Sequence, residues 1–241
     1  MRGLILVAKR ELGAYLNTSM GYVIVAIFLM LEGLFFNAFA VGSSPKASAD
    51  VLSDFFYFSF GCTVAAAVFL SMRLIAEERQ TGTIVLVQAS PLANWQLVGG
   101  KFLSVLVLLA VMMLISTYMP ALIFVNGKVS LGQIGVGYLG VFLASASAAA
   151  IGTFGSTLAR SQLVAVIISG VIVVALLLAW LLGRVTDPPL DEVWSYLSLY
   201  DRHFQPFQKG RLNTEDVVFY LSMCFGFLML STRTLSARRW K

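Results

Sequence analysis

The residues with the clearest capacity for chemistry lie in one charged, amphipathic stretch, residues 76–101, between two long apolar runs. A turn at Gly82 follows its opening charges, and Pro91 ends the short apolar run after that turn. Such a segment can present a short, acid-led helix to a groove of a soluble partner. An ordinary loop joining two membrane spans is the alternative. The candidate contact residues are Glu77, Glu78, Arg79, Gly82, Thr83, Leu86 and Pro91.

A second candidate is Glu32, the only acidic residue well inside an apolar run. A lone carboxyl group in a bilayer is costly and is expected to face a polar partner or water. Asn37 is the nearest polar candidate, although a spacing of five residues does not place both squarely on one helix face. A role at a conduit or subunit contact is one interpretation, and snorkelling or local pairing is the other.

No catalytic or metal-binding set is recognisable in the sequence. One His and no Cys-x-x-Cys argue against a structural zinc site. Cys62 and Cys224 lie in apolar runs, which indicates small buried or lipid-facing residues rather than a disulfide. The run Gly99-Gly100-Lys101-Phe102 lacks the first glycine and the hydroxyl residue of a phosphate-binding loop. We therefore assign no catalytic residue, metal ligand or cofactor to this chain.

Composition places the elements around these residues in a membrane. Hydrophobic residues make up 59% of the chain and charged residues 12%, about half the charged fraction of a soluble domain. We expect one all-α polytopic membrane domain over residues 1–241. Six apolar segments are long enough, or nearly so, to cross a bilayer. They cover approximately residues 20–41, 55–72, 102–125, 134–158, 163–182 and 217–230.

Three segments lie outside these predicted spans. Residues 1–19 combine an apolar stripe with a cationic face, which is typical of a helix in the membrane interface. Residues 73–101 form the charged insert. Residues 183–216 form a long outer loop whose aromatic residues predict one or two short surface helices, acting as a lid over helix ends or a partner-binding surface. The lone His203 in this loop is interpreted as structural.

The placement of Lys and Arg predicts the orientation. The side that holds both termini and the charged insert carries the larger share of the 17 basic residues, so this side is expected to be cytoplasmic. The net charge of +5 fits this flanking role, and we expect no nucleic-acid partner.

Small residues recur at every fourth position of the fourth apolar run, on one helix face. They are Gly140, Ala144, Ala148, Gly152 and Ser156. This spacing allows close helix approach, and packing within the protomer is favoured over contact with a moving helix. Pro120, late in the third run, predicts a kink near the outer leaflet.

Several motifs together resemble those of a known family. The pattern Glu77-Glu78-Arg79-x-x-Gly82-Thr83, with Leu86, Pro91 and Gly100-Lys101, resembles the cytoplasmic coupling segment of ABC-2-type permeases. Within that family the chain is similar to the gliding-motility-associated ABC permeases. The supporting motifs are Lys9-Arg10-Glu11-Leu12, Gly33-Leu34-Phe35-Phe36, His203-Phe204-x-x-Phe207-x-x-Gly210 and Asp216-Val217-Val218-Phe219.

The resemblance implies six transmembrane helices, an interfacial N-terminal helix, a cytoplasmic coupling helix and short external helices before the last span, as in type V exporters. It also implies a separate ABC ATPase, in two copies, that binds ATP and Mg²⁺. A second permease copy or homologue, an auxiliary membrane protein with an extracytoplasmic domain, and location in the bacterial inner membrane are further implications. The output would be export or mechanical work at the cell envelope, including gliding motility.

Two other functions compete with a permease. An ATP-independent channel or secondary transporter is disfavoured because paired intramembrane charges and internal repeats are not visible. A membrane-embedded enzyme would need clustered acids, His or Cys, or a nucleophile–base pair, and the sequence offers no such set.

Overall fold

Helices make up nearly all of the regular structure. The computed structural model describes residues 2–41, 47–84, 92–126, 130–188 and 190–237, and no strand occurs within these ranges. In the described residues, five helical stretches are long and apolar enough to cross a membrane, and a bent helix pair makes a sixth if it counts as one span. The predicted all-α polytopic class is therefore confirmed.

The chain order of the helices follows the predicted plan. The first half contains α1 (Arg2–Asn17), α2 (Ser19–Phe35, continued by a π-helical segment Phe36–Val41), α3 (Ser48–Ser71), α4 (Arg73–Gln80), α5 (Asn94–Ser116) and α6 (Tyr118–Asn126). The second half contains α7 (Leu131–Leu158), α8 (Gln162–Leu177), α9 (Ala179–Val185), α10 (Leu190–Leu197), α11 (Gln205–Gln208) and α12 (Thr214–Ala237).

The second span extends well past its predicted end. Helices α3 and α4 form one stretch of 33 residues, Ser48–Gln80. At 1.5 Å per residue this is about 50 Å, whereas the hydrocarbon core of a bilayer is about 30 Å thick. The stretch is therefore longer than that core is thick, and α4 is the end that carries Arg73, Glu77, Glu78 and Arg79. Helix α5, which forms the third span, begins at Asn94. Residues 94–101 of the predicted insert are therefore its first turns rather than a loop.

Two spans contain breaks. The fifth was expected to be continuous, but α8 and α9 meet at 45°. The loop of residues 183–216 contacts the chain near this bend, where Leu199 donates its backbone N–H to the Leu176 carbonyl at 3.3 Å. In the third span, Thr117 separates α5 from α6. Pro120 lies four residues after Ser116 and offers no N–H to that carbonyl, which explains the interruption.

Helix α7 lies at the centre of the bundle and packs against α3, α5, α8 and α12. The row of small residues on this helix is buried throughout. A Cβ on Gly152 would overlap Ser71 Oγ, and a Cβ on Gly140 would lie 2.5 Å from Phe207 Cβ. These two positions therefore contact α3 and the short helix α11 within the same protomer.

The outer loop is folded rather than extended. Phe204 and Phe207 are fully buried, and Phe204 packs on Phe60 of α3 with ring centroids 4.4 Å apart. His203 is also fully buried, and its Nδ1 lies 2.8 Å from the Asp216 carboxylate at the start of α12. The loop is thus anchored to α3 and to the start of α12.

Candidate functional site

A buried ion cluster joins three elements at the membrane surface that carries the charged insert. The side chain of Lys101, in the first turns of α5, is only 2% exposed. Its Nζ lies 2.9 Å from Glu11 Oε1 on α1 and 2.9 Å from Glu78 Oε1 on α4. A buried ammonium group requires such pairing, because an unpaired charge in a protein interior is very costly. Lys101 therefore ties the N-terminal helix to the segments on either side of the insert.

Arg10 completes the rim of this cluster. Its Nη2 lies 3.2 Å from Glu78 Oε1 and 3.4 Å from Glu11 Oε1, but its side chain is 66% exposed. Ion pairs of exposed side chains are screened by water and contribute little. The stabilising contact of the cluster is therefore the buried one made by Lys101.

A glycine brings Lys101 to its partners. A Cβ on Gly100 would lie 2.7 Å from the Leu4 carbonyl oxygen and 2.8 Å from Val7 Cβ. No larger residue fits there without moving α1, so Gly100 permits the close packing of α1 on α5. The Gly100-Lys101 pair thus acts through helix packing and charge pairing.

A second contact of α1 lies beside the cluster. Tyr15 donates its hydroxyl hydrogen to the Leu70 carbonyl at 2.6 Å. Burial raises the pKa of the Tyr15 phenol, and the Arg73 guanidinium opposes that shift only in part. Arg73 lies 4.8 Å from the ring centroid of Tyr15, and its Nε donates to Glu77 Oε2 at 2.8 Å. Tyr15 therefore remains a neutral donor that attaches α1 to the end of α3.

The junction of α3 and α4 is held by a hydroxyl group from α7. Ser156 Oγ donates to the Met72 carbonyl at 2.8 Å and accepts from the backbone N–H groups of Ile75 and Ala76 at 3.0 and 2.9 Å. An inserted hydroxyl group interrupts the regular helical ladder and allows a break in the helix. Ser156 thus fixes the point at which α4 leaves the membrane span.

The end of α4 is a tight turn. Gly82 has φ +74°, in the left-handed region that favours glycine, and nothing lies within 4 Å of the position of a Cβ. Thr81 Oγ1 donates to the Glu77 carbonyl at 2.9 Å, and it lies 2.9 Å from Thr83 Oγ1. The turn is therefore capped by hydroxyl groups and leaves Thr83 exposed.

The adjacent acidic residues of the motif occupy different environments. The Glu77 side chain is 37% exposed, whereas the Glu78 side chain is 10% exposed. Arg79 points to a third neighbour and donates from Nη1 to the Ala159 carbonyl at 3.0 Å, in the short connection between α7 and α8. Leu86 and Pro91 lie outside the described residues.

The intramembrane pair predicted from the sequence is not brought together. Glu32 is 1% exposed and accepts a hydrogen bond from Ser59 Oγ on α3 at 2.5 Å. Asn37 lies on the π-helical segment and is exposed on the surface of the protomer. Glu32 therefore joins α2 to α3 inside the protomer, and its second carboxyl oxygen has no hydrogen-bond partner among the described residues.

Sequence reasoning missed the roles of Lys101, Glu11 and Ser156. One signal was available for Lys101 and Glu11. They carry opposite charges and lie in two segments that were predicted to border the same membrane surface, where they could pair. Nothing in the local sequence distinguishes Ser156 from the other small residues of its row. Within the described part of the chain, no group of three or more His, Cys, Asp or Glu residues is placed to hold a metal ion.

Fold and site together define a multi-pass membrane protein with a charged segment clamped at one membrane surface. Residues 5–235 match the family model described as ABC-2 family transporter protein. The chain belongs to this family, whose members are membrane subunits of transporters and are not themselves catalytic. Membership implies an ATPase partner. A comparison with curated proteins finds no match for this chain.

Proposed function

We propose that this chain is the permease subunit of an ABC transporter in which a separate cytoplasmic ATPase, present in two copies, supplies the energy. ATP and Mg²⁺ bind to that ATPase. A second copy of this chain, or a homologue, completes the membrane part. The residues proposed to transmit motion from the ATPase are Glu77, Glu78, Arg79, Gly82, Thr83, Leu86 and Pro91.

The way α4 is attached to its neighbours carries this proposal. Lys101 links α4 to α1 and α5, and Ser156 links the start of α4 to α7. A partner that displaces the exposed turn at Gly82 would therefore move the N-terminal helix and the ends of several spans together. An ordinary loop between spans would not need a buried ion cluster at its base.

The proposed orientation puts both termini and the Gly82 turn in the cytoplasm of a bacterial cell, with the chain in the inner membrane. The excess of Lys and Arg on that side of the spans supports it. In this orientation α10 and α11 lie at the outer surface. They offer a folded platform for an auxiliary membrane protein with an extracytoplasmic domain.

The output that we propose is export or mechanical work at the cell envelope, with gliding motility as the particular process. The motif from His203 to Gly210 supports this narrower assignment through its similarity to gliding-associated permeases. Its buried aromatic residues hold the external helices on the spans, where a moving bundle could pull on an outer partner.

Affinity purification of the tagged chain from native membranes tests the proposal. We expect a nucleotide-binding subunit to co-purify. We also expect the Gly82→Pro change to uncouple ATP hydrolysis by the complex from the permease. An assembly that moves cargo with no nucleotide-binding subunit would instead favour a channel or secondary transporter.

A further inference from the structure

A long apolar groove runs along the surface of the protomer between α2 and α3, and its wider end reaches the bend between α8 and α9. The narrow part has a volume of ≈ 260 Å³, and the wide part has a volume of ≈ 500 Å³. Leu31, Cys62 and Ala65 line both parts, so the two are continuous. We call them together the α2–α3 groove.

The length of this groove matches one leaflet of a bilayer. Phe69 lines its narrow part and Tyr57 lines its wide part, and both residues lie on α3. At 1.5 Å per residue, the helix between these two positions is about 18 Å long. The hydrocarbon core of a bilayer is about 30 Å thick, so one leaflet contributes about half of that. The groove therefore has the length of a single acyl chain rather than of a whole span.

The lining of the groove changes in character from one end to the other. The narrow part is lined by apolar residues of α2 and α3, such as Ile27 and Phe69. The wide part reaches Tyr57, Trp180 and Tyr200, and such residues are typical of the level of lipid headgroups. The rings of Tyr57 and Tyr200 pack edge to face with centroids 5.3 Å apart. This end belongs to the start of α3, at the membrane surface opposite to α4.

Charges of both signs lie beside the aromatic end. Arg184 is exposed, its guanidinium carbon lies 4.6 Å from the centroid of the Trp180 ring, and among the described residues it forms no ion pair. Burial raises the pKa of the Tyr200 phenol, and the nearby carboxylates of Asp201 and Asp54 add to that shift. A guanidinium group suits a phosphate, whereas aromatic faces and carboxylates suit an ammonium group.

We propose that the α2–α3 groove binds one zwitterionic phospholipid with an amine headgroup, such as phosphatidylethanolamine. The phosphate contacts Arg184, the ammonium group lies beside Tyr200 and Asp201, and one acyl chain fills the narrow part. A helix from a second copy fits this site less well, because a membrane-spanning helix is apolar across both leaflets. The groove covers one leaflet and ends beside charges of both signs. This inference goes beyond the proposed function, because the lipid site does not involve the ATPase.

Native mass spectrometry of the full chain tests lipid retention, with the chain purified from membranes that contain phosphatidylethanolamine and phosphatidylglycerol. We expect one phosphatidylethanolamine to be retained per chain. Arg184→Met should lower its retention about fivefold, because the phosphate loses its cation. Arg211→Met is the matched control. Arg211 is an exposed residue of the same 183–216 segment, and its loss should lower retention by less than about twofold.

Gly61→Leu fills the groove from its floor. Gly61 lines the wide part, and nothing lies within 4 Å of the position of its Cβ. Leu is also the better helix former, so the variant is expected to fold. Lipid retention should fall at least about tenfold. Gly226→Leu is the control, because Gly226 also meets nothing within 4 Å but lies on α12, outside the groove, and should leave retention unchanged.

The acidic residues should set the choice of headgroup. Asp54→Asn combined with Asp201→Asn should abolish the preference for phosphatidylethanolamine over phosphatidylglycerol, whereas Asp187→Asn, at an exposed position, should keep it. Lys46 is the one charged residue in the sequence of residues 42–46, which lie outside the described ranges and precede α3. Lys46→Met should leave the preference unchanged. A gain of phosphatidylethanolamine in that variant would show that Lys46, rather than a lipid, faces the acids.

A photoreactive amino acid at position 61 identifies the occupant in native membranes. We expect adducts with an amine-bearing phospholipid. Adducts formed mainly with a second copy or with another protein would overturn the proposal. So would retention of the two lipids in the ratio of the surrounding membrane, or equal retention by the Gly61→Leu and Gly226→Leu variants. The ATPase partner is tested separately by the affinity purification, so its presence or absence leaves this outcome unchanged.

Discussion

Lys101 Nζ lies 2.9 Å from Glu78 Oε1, although one residue begins the third span and the other follows the second. Both side chains are buried, and Glu11 of the N-terminal helix shares the same ammonium group. The three helices around this cluster are therefore held by charge as well as by packing. Motion of α4 is expected to be passed on to α1 and α5.

Lys101→Met is expected to destabilise the protein by about 3–5 kcal/mol, because it leaves two buried carboxylates without their cation. Thermal unfolding in detergent measures the effect. Lys9→Met is the matched control, since Lys9 lies on α1 and is exposed. Adding Glu11→Gln and Glu78→Gln to Lys101→Met should recover much of the loss. No recovery in this triple variant would show that charge imbalance is not the cause.

Ser156→Ala is expected to cost about 1–3 kcal/mol, because two backbone N–H groups and one carbonyl at the junction of α3 and α4 lose their partner. Ser147→Ala on the same helix serves as the control. Ser147 is equally buried, but among the described residues its hydroxyl bonds only to the Ala144 carbonyl of its own helix. Similar losses of thermal stability in the two variants would contradict the special role of Ser156.

The sequence and the structure agree where local patterns decide the outcome. Apolar length predicted the spans, the apolar stripe of residues 1–19 predicted helix α1, and the aromatic residues of the 183–216 loop predicted its short helices. Helix boundaries were less predictable, because polar residues such as Asn94 continue a helix beyond the bilayer when packing supports it. The contact between Ser156 and Met72 joins residues 84 positions apart, and no local pattern predicts it.

The site was predictable only in part, for a similar reason. The acidic motif lies on α4, beside the buried ion cluster, but the different burial of Glu77 and Glu78 depends on how α1 and α5 pack around α4. Glu32 was expected to need a polar partner, and that partner is Ser59 rather than Asn37. In each case the spacing limits which residues can meet, and tertiary packing selects among them.

Gly82→Ala is expected to destabilise the protein by about 1 kcal/mol, because an L-residue at φ +74° is strained even though space is available. Gly226→Ala is the comparison. It also meets nothing within 4 Å, but it lies inside α12, where Ala is the better helix former. The two changes in unfolding temperature should therefore have opposite signs, and equal effects would rule out backbone strain at Gly82.

His203 is expected to couple strongly to Asp216. Its Nε2 faces the Tyr196 carbonyl at 2.9 Å while Nδ1 faces the Asp216 carboxylate, so each ring nitrogen contacts an oxygen. A double-mutant cycle with His203→Gln and Asp216→Asn should give a coupling energy of about 1–3 kcal/mol.

The neighbouring pair Arg202–Glu215 supplies the control for this cycle. These side chains are 49% and 59% exposed and 3.7 Å apart, so their coupling should stay below about 1 kcal/mol. Chemical unfolding or limited proteolysis of the outer loop provides the readout. Equal coupling in the two pairs would contradict the proposed anchoring of the external helices by His203.

Site-specific photocrosslinking from residue 83 in native membranes tests the central proposal most directly. Thr83 is exposed in the turn after α4 and takes no part in the ion pairs of Lys101, so a photoreactive amino acid there leaves those charged contacts in place. The account predicts a crosslinked adduct with a nucleotide-binding subunit, in a yield that changes when ATP is trapped on the complex. Adducts formed only with lipid or with extracytoplasmic proteins would contradict it.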